Sequence, residues 1–595
     1  MPINIQNISW TRTYINVDYT ATDGDELVLY RAASHEFKYF GVSSADDSSG
    51  ESKVRSYFNV VIANGREPLA AGDWYLCTKI PDELLNDEER LFSERPWLKE
   101  QAVHWGRRKL PSDIKSDDDL VKQALAGHEI DVIREHPYDL HLISYAPEVL
   151  FGLESLSEAF RYAKGEYMYT ATFIPRTDRT DYPYVVLCMG FYVRNRTPRV
   201  RKHSVRWKEK QILAKTANAF SRMSHRTGKR VLFFKQNGDV PTGNMQAVRD
   251  RMYERGLDKE FVIEERYRNT FERGRQSLGD WLSDIKAISR ADYIFVDDYC
   301  PIFNFVELDD GVVLTQIWHA GVGFKSVGYA RFGITGSPDP YDSCHRRYTY
   351  ALVGNKYLRK IYSEVFGIEE EALLATGMPR LDHFFDEEGI RSAREKLLAA
   401  YDWMSKGRVI MFAPTFRGSG QRTAYYPYDS FLDMEKLYEM CERTNSYFVF
   451  EMHHFIDERP EIPPEFSSRL KDLSDESLDE LYHVTDVLVT DYSSCFYDYL
   501  LLQKPVVFYT PDRVSYSATR GVQRPVDKMA PGIVCDTFDE FVGVLESGSY
   551  SDADPDPSCL DRALEHSGLA SDRVIDTILL HKDVPGVRFE DRQNN

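Results

Sequence analysis

Residues 484–512 read VTDVLVTDYSSCFYDYLLLQKPVVFYTPD, and the fold is read outward from them. The opening VTDVLVT is a short apolar, β-branched run of the kind a strand buried on both faces requires. A polar loop, Asp491-Tyr492-Ser493-Ser494, comes next. CFYDYLLLQ then reads as a helix, and Pro505 opens a second strand, VVFYT. This is a βαβ unit with Ser493 and Ser494 where its helix begins. A helix start leaves N–H groups unpaired and carries partial positive charge, so it can hold a phosphate. The same serines would equally serve as N-caps.

Upstream the pattern repeats. RVIMFAPTFRGSGQ (408–421) opens a sheet, and YFVFEMHHFI (447–456) is a strand ending in paired histidines. Further back, RVLFFKQNG (230–238), ADYIFVDDY (291–299) and GVVLTQIWHAGVGFKSVGYARFG (311–333) are strands running into polar or glycine-rich loops, with Asn244 capping an intervening helix. Strands alternating with helical stretches indicate a doubly wound parallel sheet. The glycines at 321, 323 and 328 miss the GxGxxG spacing, and GxxxxGK[ST] is absent. Neither dinucleotide binding nor a P-loop NTPase is expected. The expected class is α/β: a GT-B-like pair of doubly wound Rossmann-type domains, 230–400 and 401–582, with a C-terminal helix near 560–581 and a tail at 583–595.

Residues 1–195 differ. ELVLYRAA, YFNVVIAN, WYLCTKI, YMYTATFIP and YPYVVLCMGFYV are rich in β-branched and aromatic residues, and polar turns separate the first few. They predict a β-rich, sandwich-like accessory domain with a more helical insertion at about 95–165. Between the domains, residues 194–230 carry thirteen Lys or Arg against a single Glu. A basic linker helix over 196–229 is expected, either as a solvated connector or as an anchor for anionic lipid or a polyanionic polymer.

The net charge of −20 argues against a general nucleic-acid binder. Eight scattered cysteines without metal-ligand spacing make disulfides and zinc unexpected, as suits a reducing cytoplasm. The N-terminus lacks a signal-peptide pattern, and no run approaches the ~18 apolar residues of a spanning helix. Work at a membrane would therefore be peripheral.

Polar groups able to handle phosphate or protons follow four strands: His319 with Lys325, Arg417, His453, and Asp491 with Ser493 and Ser494. In open α/β sheets ligands bind outside the carboxyl ends of strands, so these groups can converge on one site.

At these residues the chain resembles the CDP-glycerol glycerophosphotransferase family of teichoic-acid and capsule polymerases and primases. Trp318-His319-Ala320-Gly321 with Lys325 resembles the family's WHG-x-x-x-K, Gly377-Met378-Pro379-Arg380-Leu381-Asp382 its GxPRxD, and Ala413-Pro414-Thr415-Phe416-Arg417 its APT[WYF]R. His453 stands for the strand-end histidine, and Thr490–Ser494 with Asp498 for TDYSS and its following Asp. Arg520-Gly521 and Pro531-Gly532 complete the series. The resemblance covers about 230–545. Ala320 and Val322-Gly323 replace the family's Gly and Thr-Pro, a departure that bears on which polymer or primer is extended.

The resemblance implies transfer of glycerol phosphate from CDP-glycerol to a polymer-terminal hydroxyl, releasing CMP, with CDP-ribitol as the alternative donor. A nucleotide-sugar transferase and a non-catalytic polymer-binding protein are the other readings. It implies His319 as general base and His453 as stabiliser of the phosphoryl group or CMP. Lys325, Arg380, Arg417, Asp491, Ser493, Ser494, Asp498 and Arg520 are the expected substrate-binding residues. Neither metal nor cofactor is expected. The implied partners are a polyanionic or lipid-linked glycan acceptor and an anionic membrane surface, with the enzyme cytoplasmic and peripheral on its inner face.

Overall fold

The computed structural model describes residues 3–589 apart from 22–25, 47–51, 64–65, 81, 108, 136–137, 140–142, 163–166, 177–183, 194–207, 209, 217–226, 270–275, 320–325, 332–342, 419–422, 523–525 and 553–568. The chain divides into two compact units, Met1–Val200 with Thr335–Tyr341, and Arg201–Ile334 with Asp342–Asn595.

The first unit holds two sheets. One has five strands in the order Gly41–Asp46, Ser52–Asn59, Tyr14–Ala21, Ile3–Thr11, Ile143–Tyr145, antiparallel except for its last pair. The other runs Glu158–Tyr162, Tyr167–Arg176, Tyr184–Val193, Gly72–Lys79, Glu26–Arg31, Glu36–Tyr39, antiparallel throughout, with Tyr138–Asp139 beside Gly72–Lys79. Trp10 of the first sheet reaches the second, 6.0 Å from Phe160 and 5.9 Å from Phe173 between ring centres. The helical insertion begins earlier than its composition predicts, at Asp82, and packs its own apolar cluster around Leu91, Leu98, Ala102 and Ile133.

The second unit holds two parallel sheets. The first has the order Asn237–Gly238, Val262–Asn269, Arg230–Lys235, Tyr293–Val296, Val313–Gln316, Tyr350–Leu352, Leu373–Leu374, and only Asn237–Gly238 pairs antiparallel. The second runs Leu470–Asp472, Ser446–Phe450, Arg408–Phe412, Val487–Thr490, Val506–Tyr509, Ile533–Cys535. Numbered along the chain, that order is 3-2-1-4-5-6, the dinucleotide-type doubly wound sheet. Strand order reverses between Arg408–Phe412 and Val487–Thr490, so a ligand crevice is expected beyond their carboxyl ends. In the first sheet it reverses between Arg230–Lys235 and Tyr293–Val296. One apolar core spans both halves and includes Trp318, Phe366, Tyr482 and Tyr497. The halves approach so closely that a Cβ on Gly354 would strike the Tyr497 hydroxyl.

Two boundaries differ from expectation. The C-terminal helix, Ala570–Ile578, leaves the second sheet and packs Val574, Ile575 and Ile578 against Val231, Met245 and Val248 of the first. Asp572 and Asp576 pair with Arg251 and Arg255 there, and Asp382 receives the N–H groups of Ala570 (2.7 Å) and Ser571 (2.9 Å) at the helix start. Beyond it, Val587 is buried and its carbonyl accepts from Arg359 at 2.7 Å, so residues up to Phe589 are no loose tail. An apolar helix face carries no address; burial against the first sheet decides where it docks.

In the basic segment, residues 210–216 are helical. Ala214 is buried in the shared core, Lys210 lies 6.0 Å from the Trp281 ring centre, and Lys215 pairs with Glu307 at 2.9 Å. Residues 194–207, 209 and 217–226 of the expected anchor lie outside the described residues. Among the described residues no helix is long and apolar enough to cross a membrane.

Candidate active site

In the first half the site grows from the strand Val313–Gln316. Gln316 is a buried amide in an apolar strand, and a buried polar group must find partners. Its Nε2 donates to the Asp298 carbonyl (3.1 Å) and the Tyr348 hydroxyl (3.0 Å), and its Oε1 accepts the Trp318 N–H at 2.9 Å. Trp318 sits at φ +40, a left-handed conformation that is strained for a bulky residue. Buried partners over-determine that turn: Asn244 Nδ2 donates to the carbonyls of Ile317 (2.7 Å) and Trp318. The turn presents His319 as an exposed ring, 4.3 Å from Trp318 between centres. His319 Nδ1 lies 3.3 Å from the Asp297 carbonyl oxygen. A carbonyl only accepts, so Nδ1 carries the proton, and in the neutral ring Nε2 keeps the lone pair.

Asp297 ends the neighbouring strand at the switch point of the first sheet. Its carboxylate pairs with Lys235 at 3.0 Å, and both side chains are buried. Lys235 also donates to Thr242 Oγ1 at 2.7 Å. Burial raises the Asp297 carboxyl above its ordinary range, opposed by Lys235.

In the second half, Arg417 and Asp491 follow the two strands that flank the switch point. Asp491 is buried, and its Oδ1 accepts the Thr415 N–H at 2.8 Å. Arg417 grips Asp512 in a fork, Nε to Oδ2 at 2.6 Å and Nη2 to Oδ1 at 2.8 Å, while Nη1 donates to Asp491 Oδ2 at 2.8 Å. The rings of Tyr426, Tyr492 and Tyr516 surround the guanidinium within 5.4 Å. Arg417, expected to bind substrate, thus commits its guanidinium to this chain's own carboxylates and fixes the Asp491 loop. Asp491 likewise faces backbone and Arg417 rather than the crevice.

The helix after that loop is Cys495–Tyr499. Ser493 Oγ accepts the Cys495 N–H at 3.4 Å, Ser494 makes no capping bond, and both are half-buried at the loop surface. His453 sits between Phe416 and His454, 4.9 and 4.4 Å away between ring centres. Its Nδ1 accepts the Phe455 N–H at 3.2 Å, so the neutral ring carries its proton on Nε2. Burial lowers the proton affinity of neighbouring His454. Arg520 lies 5.3 Å from the Phe416 ring centre on the side chain shared with His453, and no carboxylate pairs with it among the described residues.

Two expected ligand-binding residues hold each other instead. Arg380 Nη2 donates to Asp498 Oδ1 at 2.7 Å and lies 2.6 Å from Oδ2, while Nε donates to the His319 carbonyl at 3.2 Å. Asp498 is buried beneath the serine loop. Lys325 lies outside the described residues. Asn244 is not the expected cap: Thr242 precedes the helix Gly243–Glu254, and Asn244 braces the His319 turn. The sequence reading also missed Gln316, Asp297, Lys235 and Asp512. A lone amide inside VVLTQIW was the available signal for Gln316. Asp512 closes the quoted stretch, and nothing local marks it as the partner of Arg417.

The sequence profile of the CDP-glycerol:poly(glycerophosphate) glycerophosphotransferase family matches residues 216–580. The chain belongs to that family. Among relatives, it is 35% identical over 344 residues to the teichoic acid poly(ribitol-phosphate) polymerase of Bacillus spizizenii, covering 58% of this chain and 55% of that one. It is 33% identical over 350 residues to the teichoic acid ribitol-phosphate polymerase TarL of Staphylococcus aureus, covering 58% and 62%. A teichoic acid glycerol-phosphate primase of B. spizizenii is 29% identical over 247 residues, covering 41% and 62%. The chain thus spans little more than half the length of the first two relatives. Among solved structures, the wall teichoic acid polymerase TagF aligns with 64% of this chain and 98% of its own at 17% identity, with a TM-score of 0.47. Of the family's motif residues, His319 is exposed and His453, Ser493, Ser494 and Arg520 are half-buried, whereas Arg417, Asp491 and Asp498 are buried in ion pairs, the last with Arg380.

Proposed function

We propose that this protein transfers a polyol phosphate from a CDP-polyol to the terminal hydroxyl of a polyol-phosphate or glycan acceptor, releasing CMP, in teichoic-acid-type polymer synthesis. The observation that carries this reading is the opposite partners of two histidine Nδ1 atoms, a carbonyl at His319 and an N–H at His453, at the carboxyl ends of two parallel sheets. The acceptor oxygen attacks the phosphorus that bears the polyol, the bond from that phosphorus to the CMP oxygen breaks, and the acceptor proton passes to His319 Nε2. Charge builds on the departing CMP phosphate, where His453 Nε2–H can donate a hydrogen bond. Arg520, Ser493 and Ser494 hold the diphosphate. Arg417 and Asp491 act by keeping the serine loop still. Alignment and charge neutralisation supply most of the acceleration in phosphoryl transfer.

The family description names glycerol. The ribitol arm is favoured by three relatives at 31–35% identity, all ribitol-phosphate polymerases, against 26–29% for the glycerol enzymes. The basic run at 194–230 suits attachment to the inner, anionic face of a membrane or to the polyanionic acceptor, each cation near such a surface contributing about 1 kcal/mol. Nucleotide release is to be measured with CDP-glycerol, CDP-ribitol and a panel of nucleotide sugars, each with a polyol-phosphate acceptor. Release from a CDP-polyol alone is expected; release only from a nucleotide sugar would replace this reading with a glycosyltransferase.

A further inference from the structure

Arg380 reaches three elements at once. Its backbone N–H donates to Asn244 Oδ1 at 2.8 Å, and the Asn244 amide in turn holds the Ile317 and Trp318 carbonyls. Its Nε holds the His319 carbonyl at 3.2 Å. Its Nη2 holds Asp498, one turn below the serine loop of the other half. A guanidinium is planar and rigid, so acceptors on two of its nitrogens stand at a fixed separation. An ammonium on a flexible stem would impose no such distance. Asp498 has no other ion-pair partner among the described residues, and its carboxylate is buried, so displacing Arg380 would strand a charge.

From this geometry we infer that Arg380 and Asp498 form an interlock between the halves, which holds the His319 backbone in place only while the serine loop is seated. They are positioning residues for the proton transfer, and the inference rests on the proposed role of His319. The sequence resemblance assigned both to substrate; the structure commits Arg380 Nη2 and the Asp498 carboxylate to each other. The arrangement makes base placement conditional on the closed relation of the two sheets. An acceptor hydroxyl would then be deprotonated efficiently only opposite a correctly seated donor loop.

The test uses the full chain and two conservative changes on opposite halves, Arg380→Lys and Asp498→Asn, checked for folding by circular dichroism. Hydrogen exchange is followed at the Ile317 and Trp318 amides, which the structure bonds to the Val296 carbonyl and to Gln316 Oε1. Asp498→Asn, although it lies in the other half, should speed exchange at Trp318 on the order of tenfold. Turnover should fall roughly 10–100-fold in each variant, the loss expected of a small misplacement, with donor Kd moving less than about threefold. The double variant should be no slower than the worse single one, because both remove the same link. Unchanged exchange at Trp318 in both variants overturns the interlock. So does a donor Kd weakened in step with turnover, which would return Arg380 to the donor site. Should the unaltered protein release CMP from no CDP-polyol, the proposed function fails, while the exchange measurement still decides the interlock.

Discussion

His319 and His453 are held through the same ring atom in opposite senses. The first donates from Nδ1 to a strand-end carbonyl; the second accepts at Nδ1 from a loop N–H. Each outer contact decides whether Nε2 offers a lone pair or a proton. The surroundings differ as well. Around His319 the backbone is strained and the ring exposed, with buried amides on Asn244 and Gln316 bracing the turn from beneath. On the other half, Arg417, Asp491 and Asp512 neutralise one another in the interior, while His453, the serines and Arg520 remain half-buried. One half presents a reactive ring on a held turn, and the other holds a loop still with buried charge. The same chemical alphabet serves presentation in one place and rigidity in the other, and side-chain type alone does not distinguish them.

The contrast between base and donor is broken most directly at His319. Both His319→Ala and His319→Gln should lower turnover by ~10²–10⁴-fold with donor affinity nearly unchanged, because glutamine cannot take a proton at neutral pH. Near-normal turnover in a folded Gln variant would remove the base assignment. Arg417→Ala should act on the fold rather than on the chemistry: it leaves Asp491 and Asp512 without their cation and should cost about 3–5 kcal/mol in urea unfolding. Wild-type stability paired with lost donor binding would return Arg417 to the diphosphate. His453 sharpens the contrast, since a glutamine amide can still donate. His453→Gln should recover much of a loss of about 10²-fold seen in His453→Ala, and equal rates for the two would argue against a hydrogen-bond donor at Nε2.

A third histidine supplies the smallest effect. Burial lowers His345 to about 4, and its Nδ1 meets the Tyr348 hydroxyl at 3.0 Å. The unfolded chain, with an ordinary imidazole, takes the proton first on acidification. The stabilising term is therefore complete above about pH 6.5 and is lost as pH falls toward 4. Between pH 7 and pH 5 that loss is about 2 kcal/mol, which His345→Gln should abolish in paired urea melts. A variant as acid-sensitive as the parent would place the titration elsewhere.

Sequence alone determined the parallel sheets of the second unit, because runs such as VTDVLVT and RVIMF can satisfy their apolar content only when covered on both faces. It also marked the loops that carry the candidate residues, since polar groups at strand ends are visible as breaks in those runs. Which polar group faces the crevice was decided only in three dimensions. Asp512 lies 95 residues from Arg417, Asp498 118 from Arg380 and Asn244 74 from Trp318, and no local pattern reports such pairings. Partner choice is settled by burial: a desolvated charge must find its counter-charge wherever the packed chain supplies one. In the same way the helix Ala570–Ile578 reads as the end of the second sheet's half and yet docks on the first, where Val231 and Met245 offer an apolar surface to cover its own apolar face.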